Sequence, residues 1–528
     1  MAARRSISNS QPAKATALEY DATKTTGRRR QPSTTIAAEH VILPEGKRTK
    51  LLATTQDQVR NASIAAWMVR RHLDYVSKFK FQFQTGKEEL DLLINRLFDW
   101  HARPTNFDIA ERFGREEMFR MFECEKTLAG DAGMIKLAIK KLQAIESDMI
   151  AFPKIGKYDA SLKKYGIVPS NISKLVQKDT GVVMDPTAPG RIKQFCICNR
   201  GHDGSHVSYD HLEDSENVIF DGYYTRFSSQ VRGVSPLSTA INTIQDIYEG
   251  VDFNLAKAKV HALFGIALMR DYAGAGTDQE EVLDLGGASG LTAGTDENLA
   301  ATTANTYGTK QLSTSLQQIK PSEMMLLDMD TKGRIETIES KTPSTEFREF
   351  TGLVIRLALL SLDIPYTAYD SSGASFAGMI ADQNLYEVSC KSKREKNGWK
   401  RREYSDWVLQ LFYDDAGWGI SDVAARSGIK NLRDLQESVE WVPSGFPWLQ
   451  KLNEVQGDIK AISVGLDNPI DCCKRRGVDF FQNILKTEQA YEFAKAHNVP
   501  LMIGESGQAS VDEVAAGTEP EKKTGDEA

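Results

Sequence analysis

The sequence predicts an α+β protein made of several parts, on three observations. From Leu237 to Ala262, apolar residues recur at alternating spacings of four and three, which is the seam of a long packed helix. FKFQFQ, beginning at Phe79, alternates apolar and polar side chains, the period of a half-buried strand. The 528 residues are 41% hydrophobic and 26% charged. That is room for roughly three to four ordinary domains, or one elongated subunit, each part with a real core.

Several classes fall away on composition. The 65 Lys and Arg against 72 Asp and Glu leave a net charge of −7. Proteins that grip DNA by its phosphates carry a basic surplus, because counterion release drives that binding. Either DNA is not a partner, or the contact is weak. Six cysteines in so long a chain point to a reducing compartment, not a disulfide framework. MAARRSISNS leads into no apolar run, so no secretory signal is expected. LVIRLALLSL (353–362) contains Arg356 and falls short of the ~18 apolar residues of a span, so no membrane partner is expected. Residues 1–50 and 505–528 are polar and small, and read as an arm and a tail.

Taken in order, Thr55–Phe79 has helical periodicity through Val59, Ala62, Ala66, Val69 and Leu73. The Phe79 strand follows, then helices over Lys87–His101 and Asn106–Lys126. Met134–Ile150 fits either paired strands or a helix. A mixed α+β domain thus fills much of residues 51–232. Ser235-Pro236 is a good helix start, with serine as N-cap and proline at the first helical position. The seam that follows runs Leu237, Ile241, Ile244, Tyr248, Val251, Leu255, Ala258, Ala262. On periodicity alone, a buried helix of a globular core and the seam of a bundle or ring both fit.

A second helix begins at PSTEF, where Ser344 or Thr345 can cap and Glu346 suits the positive helix end. Its apolar face is Phe347, Phe350, Val354, Leu357 and Ile364, and Pro365 stops it. Between the helices, residues 273–315 are rich in Gly, Ala and Thr and read as irregular. Strands are expected at Met324–Leu327 and Arg334–Ile338, joined as a β-hairpin around Asp330–Gly333. Tyr366–Gly378 is small and glycine-bearing, hence a loop. A third helical run, Met379–Tyr413, carries Lys391, Lys393, Arg394, Lys396, Lys400, Arg401 and Arg402. It reads either as a solvated helix face or as an inward face touching phosphates. Trp399 and Trp407 read as packing residues. WVPSGFPW (441–448) reads as a turn, and a helical region extends to about His497.

No constellation argues for catalysis. Gly156-Lys157 and Gly308-Thr309-Lys310 lack the rest of a phosphate loop. No Gly-x-Ser-x-Gly elbow or nuclease-like carboxylate cluster is recognisable. Cys196, Cys198, His202, His206 and the nearby His211 are zinc-type ligands, but Cys-x-Cys is not the usual zinc knuckle. Neither a metal nor a cofactor is expected, and the chain is not expected to be an enzyme.

The order of helix, β-containing insert, helix, small loop and long basic helix resembles that of phage portal proteins. The residues narrow this to the lambda-like portal family. EYDAT (19–23) resembles its N-terminal Tyr-Asp-Ala segment, and the helix holding Val59-Arg60-Asn61 resembles its Arg-Asn-Asn region. GDAG…LQAIESDMI (130–150) is similar to its Gly-Glu…Ile-Glu-Ala-Asp segment, which favours strands over a helix there. YYTRFSSQVRGVSPLSTAI (223–241) is similar to the run entering the first stem helix, and SKTPSTEFREFTGLVIRLALLSLDIPY (340–366) to the run through the second. Ser371-Ser372-Gly373-Ala374-Ser375 stands where the family has Tyr-Ser-Ser-x-Arg, and lacks its arginine.

The resemblance implies a portal fold assembled as a ring of twelve subunits, and a division of the chain. Residues 1–50 form an arm, 51–233 the first part of a mixed α+β wing, and 234–264 stem helix 1. A β-containing clip occupies 265–343, stem helix 2 344–364, and the tunnel loop 365–378. The long helix and second part of the wing occupy 379–443, a helical crown 444–504, and a tail 505–528. Leu237, Ile241, Ile244, Val251, Leu255, Phe347, Val354 and Leu357 are the expected stem-packing residues. Asp370, Ser371, Ser372, Gly373, Ala374 and Ser375 are expected to line the DNA channel. The implied partners are double-stranded DNA without sequence specificity, the terminase large subunit, a head–tail adaptor, and the major capsid and scaffold proteins. The implied location is the portal vertex of the virion, after assembly in the host cytoplasm. Two alternatives are a DNA-packaging or nuclease enzyme subunit and an oligomeric scaffold without a DNA channel. ATPase or nuclease activity would mark the first, and a closed ring without an axial channel the second.

Overall fold

The computed structural model describes residues 36–156, 158–159, 164–201, 207–269, 325–329, 334–337, 345–429, 431–447 and 450–499. Helices α1 (Glu39–Ile42) and α2 (Glu45–Asn61) begin within the stretch expected to be an arm. The single helix expected over Thr55–Phe79 is broken, because the backbone is extended at Ala62 (φ −106°, ψ 110°). α3 (Ser63–Val76) starts afresh there and buries Ile64, Met68, Val69, His72 and Leu73 along one face. β1 (Phe79–Phe83) is the expected strand. α4 (Glu88–His101) carries Glu88, Glu89 and Asp91 in its first turn, where the helix dipole favours them, and buries Leu90, Ile94, Leu97 and Phe98.

The helix expected over Asn106–Lys126 is likewise two, α5 (Pro104–Phe107) and α6 (Arg115–Ala129). Between them the Asp108 carboxylate accepts the backbone N–H groups of Ala110, Arg112 and Phe113, so a turn outcompetes the helix. β2 (Asp131–Lys136) and β3 (Leu142–Ile145) settle Met134–Ile150 as strands. Then come β4 (Tyr158–Asp159), β5 (Lys164–Tyr165), α7 (Ser170–Leu175), β6 (Val182–Met184), β7 (Ile192–Arg200), β8 (Val207–Asp214) and β9 (Val218–Gly222). Ser235 Oγ accepts the Leu237 N–H at 3.2 Å as expected, but it caps a 3-10 turn, Pro236–Thr239, and α8 runs from Ile241 to Leu263. The remaining elements are β10 (Phe264–Met269), β11 (Met325–Met329), β12 (Arg334–Thr337), α9 (Thr345–Leu359), α10 (Phe376–Phe412), α11 (Ile420–Arg426), α12 (Leu432–Glu437), β13 (Val439–Pro443), α13 (Lys451–Ser463), α14 (Pro469–Arg475) and α15 (Phe480–Ala496).

The chain divides into two units, one running to Ile241 and resuming at Leu359, the other Asn242–Ala358. In the first, segments far apart in sequence share one core. β1 pairs antiparallel with β13, setting Phe81 opposite Trp441, so Trp441–Pro443 is a strand and not the start of the expected turn. Phe98 and Phe107 pack with Tyr404, Val408, Leu409 and Phe412 of α10. The Tyr404 hydroxyl lies 2.8 Å from His101 Nδ1 inside this core. Two three-stranded sheets, β3-β2-β9 and β6-β7-β8, close a second core around Ile135, Ile145, Ile150, Val182, Phe195 and Ile197. α13, α14 and α15 make the chain helical after β13, as expected.

The second unit holds α8, α9 and a three-stranded sheet in the order β11-β10-β12. The expected hairpin is therefore overturned. β10 lies between β11 and β12, parallel to the first and antiparallel to the second, so the two runs do not pair with each other. Local alternation identifies a strand but cannot name its neighbour, and here a segment far away in sequence takes both inner edges. The Gly/Ala/Thr-rich stretch 273–315 lies outside the described residues.

Candidate functional site

The chain reaches the small-residue loop through a 3-10 turn, Leu360–Leu362, and a left-handed residue, Asp363 (φ 60°). A second 3-10 turn, Tyr366–Ala368, follows Pro365. Asp370, Ser371, Ser372, Gly373 and Ser375 are exposed, and Ala374 is half-buried. The Ser372 N–H donates to Asp370 Oδ1 at 2.9 Å and the Ala374 N–H to the Ser371 carbonyl at 3.2 Å. Ser375 Oγ accepts the Gly378 N–H at 3.1 Å and caps α10. The long helix thus begins at Phe376, a little before the expected Met379, and the loop before it is 370–375. Its side chains are small, and only Asp370 carries charge.

The apolar helices differ along their length. Leu237, Ile241 and Ile244 are buried, whereas Val251 and Leu255 are 45% and 50% exposed. On α9, Phe347 and Val354 are half-buried, and Phe350, Leu353 and Leu357 are exposed. Within the second unit Gly250 lies against the Phe347 ring, so α8 and α9 touch there. A row of exposed large apolar side chains on two adjoining helices is a surface that water alone leaves uncovered at a cost.

The basic run of α10 is not simply a solvated face. Arg401 is buried: its guanidinium donates to Glu116 Oε2 at 2.9 Å and the Ser77 carbonyl at 2.8 Å, and lies over the Phe79, Phe119 and Trp441 rings. Burial pushes its pKa down to about 10, which leaves it charged at neutral pH. Arg394 donates to the Tyr75 carbonyl and lies 4.3 Å over Phe446. Lys393 is paired with Asp363 at 2.9 Å. These cations hold the long helix to the rest of its unit, because an arginine stem also packs as apolar surface. Trp407 packs on the core as expected, whereas Trp399 is 68% exposed.

Sequence reading missed why Arg232-Gly233 matters. The Arg232 guanidinium is buried and grips both Asp131 oxygens, at 2.7 and 2.8 Å, together with the carbonyls of Ser147, Ile150 and Thr180. Gly233 crosses Gly130 so closely that a Cβ on either would overlap the other's backbone, and Gly130 ends α6 at φ 104°. A second buried cluster joins Lys126 to Glu123 at 2.6 Å and Asp221 at 2.9 Å, with His72 and the Tyr223 hydroxyl on the same Glu123. The one signal available was the arginine-glycine pair itself, and that points to the strand turn, not to the acceptors it meets.

Cys196 and Cys198 lie on β7 with their sulfurs 3.9 Å apart, both buried, and Cys198 donates to the Ala151 carbonyl. His211 on β8 is paired with Asp210 and Glu213. His202 and His206 lie outside the described residues, and among the described residues no group of three such ligands converges.

Residues 24–379 match the family model described as phage portal protein, lambda family, and the chain belongs to that family. No curated protein matches it. Among solved structures, a chain of the virion of a native gene transfer agent particle is similar at 12% identity, with 82% of this chain and 93% of that chain covered and a TM-score of 0.36. A chain from the neck of an empty gene transfer agent particle, computed with C6 symmetry, is similar over the same shares at 12% identity and a TM-score of 0.39. One from the neck of the native particle, computed with C12 symmetry, has 13% identity, the same coverage and a TM-score of 0.37.

Proposed function

We propose that this portal protein forms a ring, of twelve subunits, at one capsid vertex, and that double-stranded DNA enters and leaves through its axial channel. The family match over residues 24–379 is the observation that carries this reading. The exposed Val251, Leu255, Phe350, Leu353 and Leu357 support it, since neighbouring subunits around a rotation axis supply the missing cover. The loop 370–375 lines the channel. Its small side chains suit a passage that DNA must slide through, and they agree with the net charge of −7. The clip, 265–343, docks the terminase large subunit during packaging and then the head–tail adaptor, while capsid and scaffold proteins surround the wing. Assembly takes place in the host cytoplasm. The chain serves as a conduit and not as an enzyme.

End-on averaged electron micrographs of the purified protein test this reading. Rings with an open axial channel are expected, and closed assemblies without one would overturn it. Purified rings should show no ATPase until terminase is added.

A further inference from the structure

We propose that Asp363, Ser389 and Lys393 form a clasp that positions the loop 370–375 on the long helix α10. Asp363 is one of four non-glycine residues with positive φ among the described residues. A side chain in that region persists only where its surroundings hold it. Here the holders are visible. Asp363 Oδ2 accepts from Ser389 Oγ at 2.7 Å and from Lys393 Nζ at 2.9 Å, and Lys393 Nζ also donates to the Leu362 carbonyl at 3.1 Å. Ser389 and Lys393 stand four apart on α10, hence on one face of it. The same ammonium therefore fixes both the backbone entering the left-handed turn and the carboxylate leaving it.

Seven residues earlier on that face, Asp382 Oδ2 accepts from Thr367 Oγ1 at 2.9 Å. The Tyr369 ring meets Trp67 edge-on at 5.8 Å. The chain approaching the loop is thus stitched to α10 at two levels and propped on α3 at a third. Beyond those stitches the loop runs on to the Ser375 cap of α10. Releasing the clasp leaves the approach to the loop held by Thr367–Asp382 and the Tyr369 ring alone, so the loop keeps its sequence but loses the anchor at its base. Asp363, Ser389 and Lys393 are positioning residues. The clasp itself does not depend on the portal reading; only its consequence for DNA does.

Hydrogen exchange on the full-length assembled protein tests it, read on peptides covering 366–375. The N–H groups of Ala368, Tyr369 and Asp370 donate to the Pro365 and Tyr366 carbonyls, so they report the loop base directly. Lys393→Met leaves the backbone at 363 untouched and should speed their exchange about three- to tenfold, the range for losing a charged but partly exposed pair. Asp363→Gly keeps the positive φ, removes the carboxylate, and should do the same. The double variant should exchange no faster than the faster single one, because both remove one interaction. Lys393→Arg, which can still reach the carboxylate, should restore slow exchange. Unchanged exchange in Lys393→Met, or additive effects in the double variant, would overturn the clasp. Faster exchange with unaltered DNA packaging upholds the clasp and overturns the placement of this loop at the channel.

Discussion

Single buried charges tie together parts of this protein that lie far apart in sequence. Arg232 donates to two carboxylate oxygens and three carbonyls at once, which an ammonium cannot reproduce. Arg232→Lys should therefore fold poorly, and Arg232→Ala should cost about 3–5 kcal/mol because Asp131 is left buried and unpaired; urea unfolding followed by circular dichroism measures both. Glu123 predicts the response to acid. Burial alone would raise its pKa, but Lys126 and His72 outweigh burial and hold it at about 2, against an ordinary 4.5. A carboxylate so depressed contributes stability that is complete above its unfolded pKa and lost as pH falls from 4.5 towards 2. Glu123→Gln should be less stable at neutral pH, and its thermal midpoint should fall less between pH 4.5 and 2 than that of the parent protein.

At the scale of the elements, the apolar seam of α8 changes its surroundings along its length, buried at Ile244 and exposed at Val251 and Leu255. Ile244 is buried within the chain, so Ile244→Asp places a charge in a packed site and should destabilise the subunit itself. Leu255 and Leu357 are half-exposed in the single chain. Leu255→Asp and Leu357→Asp should leave the subunit folded while shifting it from rings to monomers. Sedimentation with circular dichroism separates the two effects: native spectra with small particles are expected for the second pair. Intact rings in both would mean that this face meets no neighbour. α10 shows the opposite economy. Its basic side chains look like a solvated face in one dimension, yet Arg394 and Arg401 reach inward to backbone carbonyls left open at the end of α3 and before β1.

For the whole molecule, the acidic net charge and the loop 370–375 belong to one argument. Duplex DNA carries about one charge per 1.7 Å, so arginines added to a loop that lines the channel, as proposed, would give it a ring of phosphate sites. Ser372→Arg should slow DNA translocation in a packaging assay, most of all at low salt, where screening is weakest. Ring assembly and motor ATPase should be unaffected. Packaging at the parent rate in low salt would place the loop away from the DNA.

Much of this was legible in sequence because it is written in local periodicity. The Phe79 strand, the helices from Glu88 and Thr345, the Ser235 cap and the small neutral character of 371–375 follow from spacing and side-chain type over a few residues. The family resemblance, carried by the order of short segments, led to the same family as the match over residues 24–379. Tertiary structure alone decided who pairs with whom. That β13 completes the sheet of β1, that β10 separates β11 from β12, and that Arg401 is buried while Trp399 is exposed depend on contacts between residues tens to hundreds of positions apart. Periodicity records which face of an element is apolar, but the partner of that face is chosen by the packing of the folded chain, which no local spacing contains.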